Sequence, residues 1–130
     1  LIVDSSALVA IILNEPEEEA MLTAILRAPA ARISAANWLE AAVVADRRRR
    51  PTAPDRFGVL MDMIELEVVP MTADHAAHAR DAYSRFGRGK HPARLNFGDC
   101  IAYALAKSTG EPLLFKGQDF PQTDVTPALM

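Results

Sequence analysis

Four carboxylates stand out by position: Asp4, Glu40, Asp99 and Asp119. Asp4 ends the apolar triplet Leu1-Ile2-Val3 and is followed by Ser5-Ser6 and a second apolar run, Ala7 to Leu13. That order reads as a buried strand running into a helix. In open α/β sheets the rim at the strands' carboxyl ends is where ligands bind. Glu40 lies between Leu39 and Ala41, close to the core-facing stripe of a helix that follows Ser34. Asp99 falls in the first turn of a helix capped by Asn96, just before Cys100-Ile101-Ala102. Asp119 follows the apolar stretch Pro112-Leu113-Leu114-Phe115, in a loop opened by Lys116-Gly117-Gln118. A strand's C-terminal end and the next helix's first turn share one rim. Asp4, Asp99 and Asp119 are therefore expected to meet there, with Glu40 reaching them from the second helical unit.

Clustered carboxylates repel one another and resist desolvation. A hard divalent cation is the usual reason for keeping them together. Mg²⁺ takes oxygen ligands, often only one or two carboxylates with waters, and leaves room for a substrate phosphate. Such an ion polarises a phosphoryl oxygen and lowers the pKa of a bound water. Zinc is disfavoured, because one Cys and three His without ligand spacing offer no site. Each acid taken singly also has a plainer role, as a strand-end turn, a helix-dipole partner or a solvated helix residue.

The elements that would position these acids alternate. Leu1–Val3 reads as a strand, and Ser5 or Ser6 as the cap of the next helix. Asn14-Glu15-Pro16 breaks that helix, and Pro16 with Glu17, Glu18 and Glu19 starts another, ending near Ala28-Pro29. Arg32–Ser34 is a short strand. Ala35 to Arg50 is a long helix with Trp38, Leu39, Ala42 and Val43 predicted inward. After the Pro51–Pro54 linker, a helix runs from Asp55 to about Glu65, and Glu67–Pro70 is a strand. Thr72 to Phe86 is a helix with Ala76, Ala79, Ala82 and Tyr83 on one face. Gly87 to Leu95 is a loop. Asn96 to Ser108 is a helix closed by Gly110. Pro112–Phe115 is a buried strand, and Val125-Thr126 a last one. Short apolar strands separated by helices predict an α/β fold, three-layer α/β/α, with a short central parallel sheet. At 130 residues the chain is expected to form one domain, 1–130.

Composition sets the frame. A net charge of −3 excludes a generic polyanion binder and leaves only local cationic patches for such contacts. The single cysteine, Cys100, excludes an internal disulfide framework and fits a reducing compartment. No apolar run approaches the roughly 18–20 residues of a membrane span. The apolar N-terminus has no basic leader, so it does not read as a signal peptide. A cytoplasmic protein is expected.

Four stretches together resemble the PIN-domain family, specifically the VapC-type toxins of toxin–antitoxin pairs. They are Ile2-Val3-Asp4-Ser5-Ser6-Ala7-Leu8, Ser34-Ala35-Ala36-Asn37-Trp38-Leu39-Glu40, Leu95-Asn96-Phe97-Gly98-Asp99-Cys100 with Ala102–Ala106, and Pro112 to Phe120. The resemblance implies a PIN-like fold and an endoribonuclease dependent on Mg²⁺ or Mn²⁺, in which metal-activated water hydrolyses RNA to 5′-phosphate and 3′-hydroxyl ends. Family acids map onto Asp4, Glu40 and Asp99, and Ser6 matches a hydroxyl that supports the metal site. The fourth acid is carried by Asp119, with Asp124 as the second candidate. Many members have it two residues earlier, after a Thr, where this chain has Gly117. A homodimer is implied, as is a cognate VapB-type antitoxin whose C-terminal segment inhibits the site, often with an Arg.

Between Arg85 and Arg94 lie Arg88, Lys90 and His91 and no carboxylate. This cationic loop leads into the helix bearing Asp99, so Arg88, Lys90 and Arg94 are the expected RNA contacts. Arg47 to Arg50 suit a helix C-terminus. His75 and His78 are expected on an exposed helix face, and Cys100 as a buried small hydrophobe. Two other readings remain open. One is an aspartyl-nucleophile phosphatase, although Ser6 stands where such sites usually carry a second Asp. The other is a non-catalytic interaction protein whose acidic pocket docks a partner's Arg.

Overall fold

The computed structural model describes residues 1–129. Its sheet is wholly parallel, in the order β3-β2-β1-β4, with β1 (Ile2–Val3), β2 (Ala31–Ser34), β3 (Leu66–Val69) and β4 (Leu113–Leu114). Between them run α1 (Ser5–Ile12), α2 (Glu18–Arg27), α3 (Ala35–Arg48), α4 (Arg56–Met63), α5 (Ala73–Phe86) and α6 (Phe97–Thr109). Parallel neighbours need crossover helices, and those helices cover both faces of the sheet.

Strand alternation divides the core in two. Ile2 and Leu113 point into a cluster built on α5 and α6, with Ala82, Leu95, Ile101 and Leu105. Their neighbours Val3 and Leu114 point into a second cluster built on α1, α2, α3 and α4, with Leu8, Ile33, Ala41 and Leu60. The two central strands are thus buried on both sides, and whatever follows them is held by the core. The backbone N–H of Asp4 donates to the carbonyl of Leu114 at 2.9 Å, which pins the end of β1 to β4.

Helix ends follow local chemistry. Thr72 caps α5, and Asn96 caps α6 in a reciprocal box with Asp99. Gly110, at φ +71°, closes α6 in the left-handed conformation. Four expectations are corrected. Asp4, not Ser5 or Ser6, caps α1, because its carboxylate is already placed over the free N–H of Ser6. Leu39 and Val43 face outward on α3, where Asn37, Ala41 and Ala45 are the buried residues. Ala76 and Tyr83 are exposed on α5, whose inward face is Ala79 and Ala82. Val125-Thr126 is not a strand. There the chain makes one isolated parallel bridge, Leu113 to Pro127, after a 3₁₀ turn at Phe120–Gln122. Among the described residues no helix is long and apolar enough to cross a membrane.

Candidate active site

β1 delivers Asp4 directly out of the core, and its side chain is only 2% exposed. One carboxylate oxygen, Oδ2, accepts the backbone N–H of Ser6 at 3.0 Å. The other, Oδ1, is buried with no hydrogen-bond partner. Burial pushes the Asp4 carboxyl up to about 7; the Ser6 hydroxyl and N–H oppose this, while the charges of Asp99 and Glu40 add to it.

Because Asp4 does the capping, both serines are free for other work. Ser6 Oγ accepts the backbone N–H of Lys116 at 3.0 Å, tying the loop after β4 to the start of α1. Ser5 Oγ donates to Glu40 Oε1 at 2.5 Å, so Glu40 is held toward the rim although its helix lies one strand away.

Asp99 sits in the first turn of α6. Its Oδ2 accepts the N–H of Asn96 at 3.0 Å, and Asn96 Oδ1 accepts the N–H of Asp99 at 2.9 Å. Burial raises the Asp99 carboxyl above its ordinary value. The Asn96 bond and Arg88 oppose the shift, and Asp119 and Glu40 reinforce it. Asp4, Glu40, Asp99 and Asp119 are therefore brought into one electrostatic field at the carboxyl end of the sheet. Glu40 and Asp119 are its exposed members, Asp119 lying just before the 3₁₀ turn.

Asp124 is placed elsewhere. It accepts the Tyr103 hydroxyl at 2.5 Å and pairs with Lys107 at 3.3 Å and with Arg85 at 3.8 Å. The Tyr103 bond in particular holds its carboxyl below the usual range. Gly117, where the resemblance would put the fourth acid, has φ +116°, a backbone conformation that side-chain-bearing residues rarely adopt.

Among the described residues no three His, Cys, Asp or Glu side chains form a closed ligand cluster. A site for Mg²⁺ does not require one, since that ion keeps several waters and uses one or two carboxylates. The rim offers hard oxygen donors only, with a buried carboxylate oxygen of Asp4 that nothing in the fold satisfies. That donor set fits a hard divalent cation and not a soft one.

Arg88, Lys90 and Arg94 are exposed and make no ion pair among the described residues. Their loop is fixed by a bridge between Gly87 and Leu95 and by His91, which packs edge-on to Phe86 at 5.1 Å. Arg85 is engaged instead, stacked 4.7 Å from the Phe86 ring centroid and paired with Asp81 and Asp124. Arg47 to Arg50 are exposed at the other end of α3, away from Glu40's turn. His75 closes a cap with Thr72, His78 is exposed, and Cys100 is buried.

The structure adds three residues to the site that the sequence pattern does not assign to it: Ser5, which the sequence offers only as a cap, Asn37 and Gly98. Asn37 is 1% exposed and its side-chain Nδ2 donates to the carbonyl of Gly98 at 3.0 Å. Its signal was present, since Asn37 and Glu40 stand three apart and share a helix face.

The PIN-domain family model matches residues 1–125. Ribonuclease VapC42 of Mycobacterium tuberculosis is 46% identical over 129 residues, covering 98% of this chain and 98% of that protein. Ribonuclease VapC28 of the same organism is 46% identical over 130 residues, covering 99% and 98%. Among solved structures, M. tuberculosis VapC20, described as a sarcin–ricin-loop-cleaving toxin, superposes with a TM-score of 0.75 at 17% identity over 96% of this chain and 95% of that one. A toxin–antitoxin complex from Klebsiella pneumoniae gives 0.70 at 18% identity, over 95% and 92%. With the family model, these relatives and the parallel sheet in agreement, the chain belongs to the PIN-domain family, among the VapC-type ribonucleases.

Proposed function

We propose that this chain is the endoribonuclease toxin of a type II toxin–antitoxin pair, working with Mg²⁺ or Mn²⁺ at the rim formed by Asp4, Glu40, Asp99 and Asp119. The observation that carries the reading is Asp4: a buried carboxylate with an unpartnered oxygen, in the field of other acids, in a chain of this family. Asp4 and Asp99 supply the principal ligand oxygens, Asp119 assists from the exposed side, and Glu40, held by Ser5, binds the ion or orients the attacking water. Ser6 supports Asp4 and the Lys116 backbone together. The cation supplies polarisation of the scissile phosphate and a more acidic water. Arg88, Lys90 and Arg94 offset the phosphate charge that the acidic rim would otherwise repel. The whole chain acts as one domain, in the cytoplasm. An antitoxin of the VapB type inhibits it by placing an Arg among the carboxylates. The test is RNA cleavage by chelator-treated protein, expected only after Mg²⁺ or Mn²⁺ is returned.

The active species is a homodimer. Its support is an apolar groove of about 610 Å³ between α5 and the start of α6, lined by Met71, Ala79, Tyr83, Ile101, Arg88 and Phe97, the last 82% exposed. An apolar surface of that kind marks an association site. Phe97→Glu is expected to leave a folded monomer by sedimentation; an unchanged dimer would move the interface elsewhere.

A further inference from the structure

Gly98 is a helical glycine without a backbone reason to be one. It is the second residue of α6 and is absent from the residues with positive φ. The reason here is space. A Cβ built on Gly98 falls 2.6 Å from Glu40 Oε2, 2.7 Å from Oε1 and 3.0 Å from Cδ. Its three nearest neighbours are thus all atoms of one carboxylate. Through Oε1 that carboxylate also accepts the Ser5 hydroxyl at 2.5 Å. One turn earlier on α3, Asn37 donates to the Gly98 carbonyl at 3.0 Å and holds the first turn of α6 against α3. Asn37 does so at a cost, because its own Oδ1 is buried without a partner.

We infer that Gly98 is a positioning residue: with Asn37 it brings the backbone of α6 close enough to Glu40 to hold that carboxylate between Ser5 and Asp99. The missing methyl is what leaves room for Glu40 at the rim. This rests on the metal-dependent reading of the rim for its effect on cleavage, but not for its effect on the apo protein. An alanine at 98 would meet only the far end of a flexible side chain. The fold therefore accepts it, and Glu40 swings out of the Ser5 bond.

The experiment is a double-mutant cycle between Gly98→Ala and Glu40→Ala on the full chain, read by apo thermal unfolding, Mn²⁺ calorimetry and RNA cleavage. Gly98→Ala alone is expected to fold with an unchanged or slightly raised Tm. Cleavage should fall by up to about 10²-fold, the scale of a small misplacement at a reacting centre. In the Glu40→Ala background the same substitution should raise Tm further, and should cost no additional Mn²⁺ affinity or cleavage. Additive losses in the cycle, or unfolding of Gly98→Ala, would overturn the inference, since the space would then serve the fold and not Glu40. If Glu40→Ala itself cleaves normally, the role given to Glu40 in the reaction fails. The apo Tm cycle still decides whether Gly98 places that carboxylate.

Discussion

Two carboxylates at opposite ends of the α6 neighbourhood are treated in opposite ways. Asp124 has every advantage a carboxylate gains from folding: a phenol hydroxyl, a lysine and an arginine, with its pKa lowered by the Tyr103 bond first of all. Asp4 is buried with one oxygen orphaned, and burial drives its pKa up to about 7. Asp124 braces the C-terminal segment against α5 and α6. Asp4 strains the apo fold and is retained at the rim all the same. An acid that stabilises its protein explains itself; one that destabilises it calls for a ligand.

The contrast is broken most severely at Asp4. Asn keeps the cap on α1, because its side-chain oxygen still accepts the Ser6 N–H. It removes the buried charge. Below pH 3.8, the ordinary value, folded and unfolded chains both hold the proton and Asp4 carries no penalty. Between 3.8 and about 7 the unfolded chain releases the proton while the folded chain keeps it, so stability falls as pH rises. Above about 7 the penalty is complete, of order 4 kcal/mol at roughly 1.4 kcal/mol per unit. Chemical denaturation should show apo Asp4→Asn level with wild type near pH 4 and more stable by up to that amount at pH 8. A variant less stable than wild type at pH 8 would remove the contrast.

Asp124→Ala should act in the reverse sense. It strands the half-buried Tyr103 hydroxyl and should cost about 1 kcal/mol, since Lys107, Arg85 and the carboxylate itself are solvent-screened. RNA cleavage by the folded fraction should be unchanged. Lost cleavage without lost stability would place Asp124, not Asp119, as the fourth acid of the site. The smallest effect belongs to Arg88→Ala. It should raise KM for RNA, leave kcat nearly level and reduce the salt slope of binding by about one unit.

Much of this arrangement is legible in the residues, and the limits have physical causes. Apolar triplets, caps and a terminal glycine mark the strands and helix ends because those signals act locally: Asn96, Thr72 and Gly110 do what their side chains, or lack of one, dictate. The acids at the strand ends are visible for the same reason. Leu39 and Val43 mislead because helical periodicity reports an apolar stripe and not what covers it. Val125-Thr126 misleads because a β-branched pair makes a strand only where the pairing continues, and here it stops at one bridge: Thr126 and Ala128 both bond to Leu113 about Pro127, and nothing extends the ladder. Ser5, Asn37 and Gly98 act across elements. Their partners lie 35, 61 and 58 positions away, counting Ser5 to Glu40, Asn37 to Gly98 and Gly98 to Glu40, so nothing local announces Ser5 or Gly98, and Asn37 only through its place three residues before Glu40.

The central claim is that Asp4 is buried unsatisfied because it serves phosphodiester hydrolysis. It is tested most directly by mapping cleavage ends on total RNA with Mn²⁺, wild type against Asp4→Asn, after the variant has been shown to fold. Wild type should yield discrete new ends carrying 5′-phosphate and 3′-hydroxyl groups, and Asp4→Asn should yield none. The same ends at the same rate from the Asn variant would contradict the account.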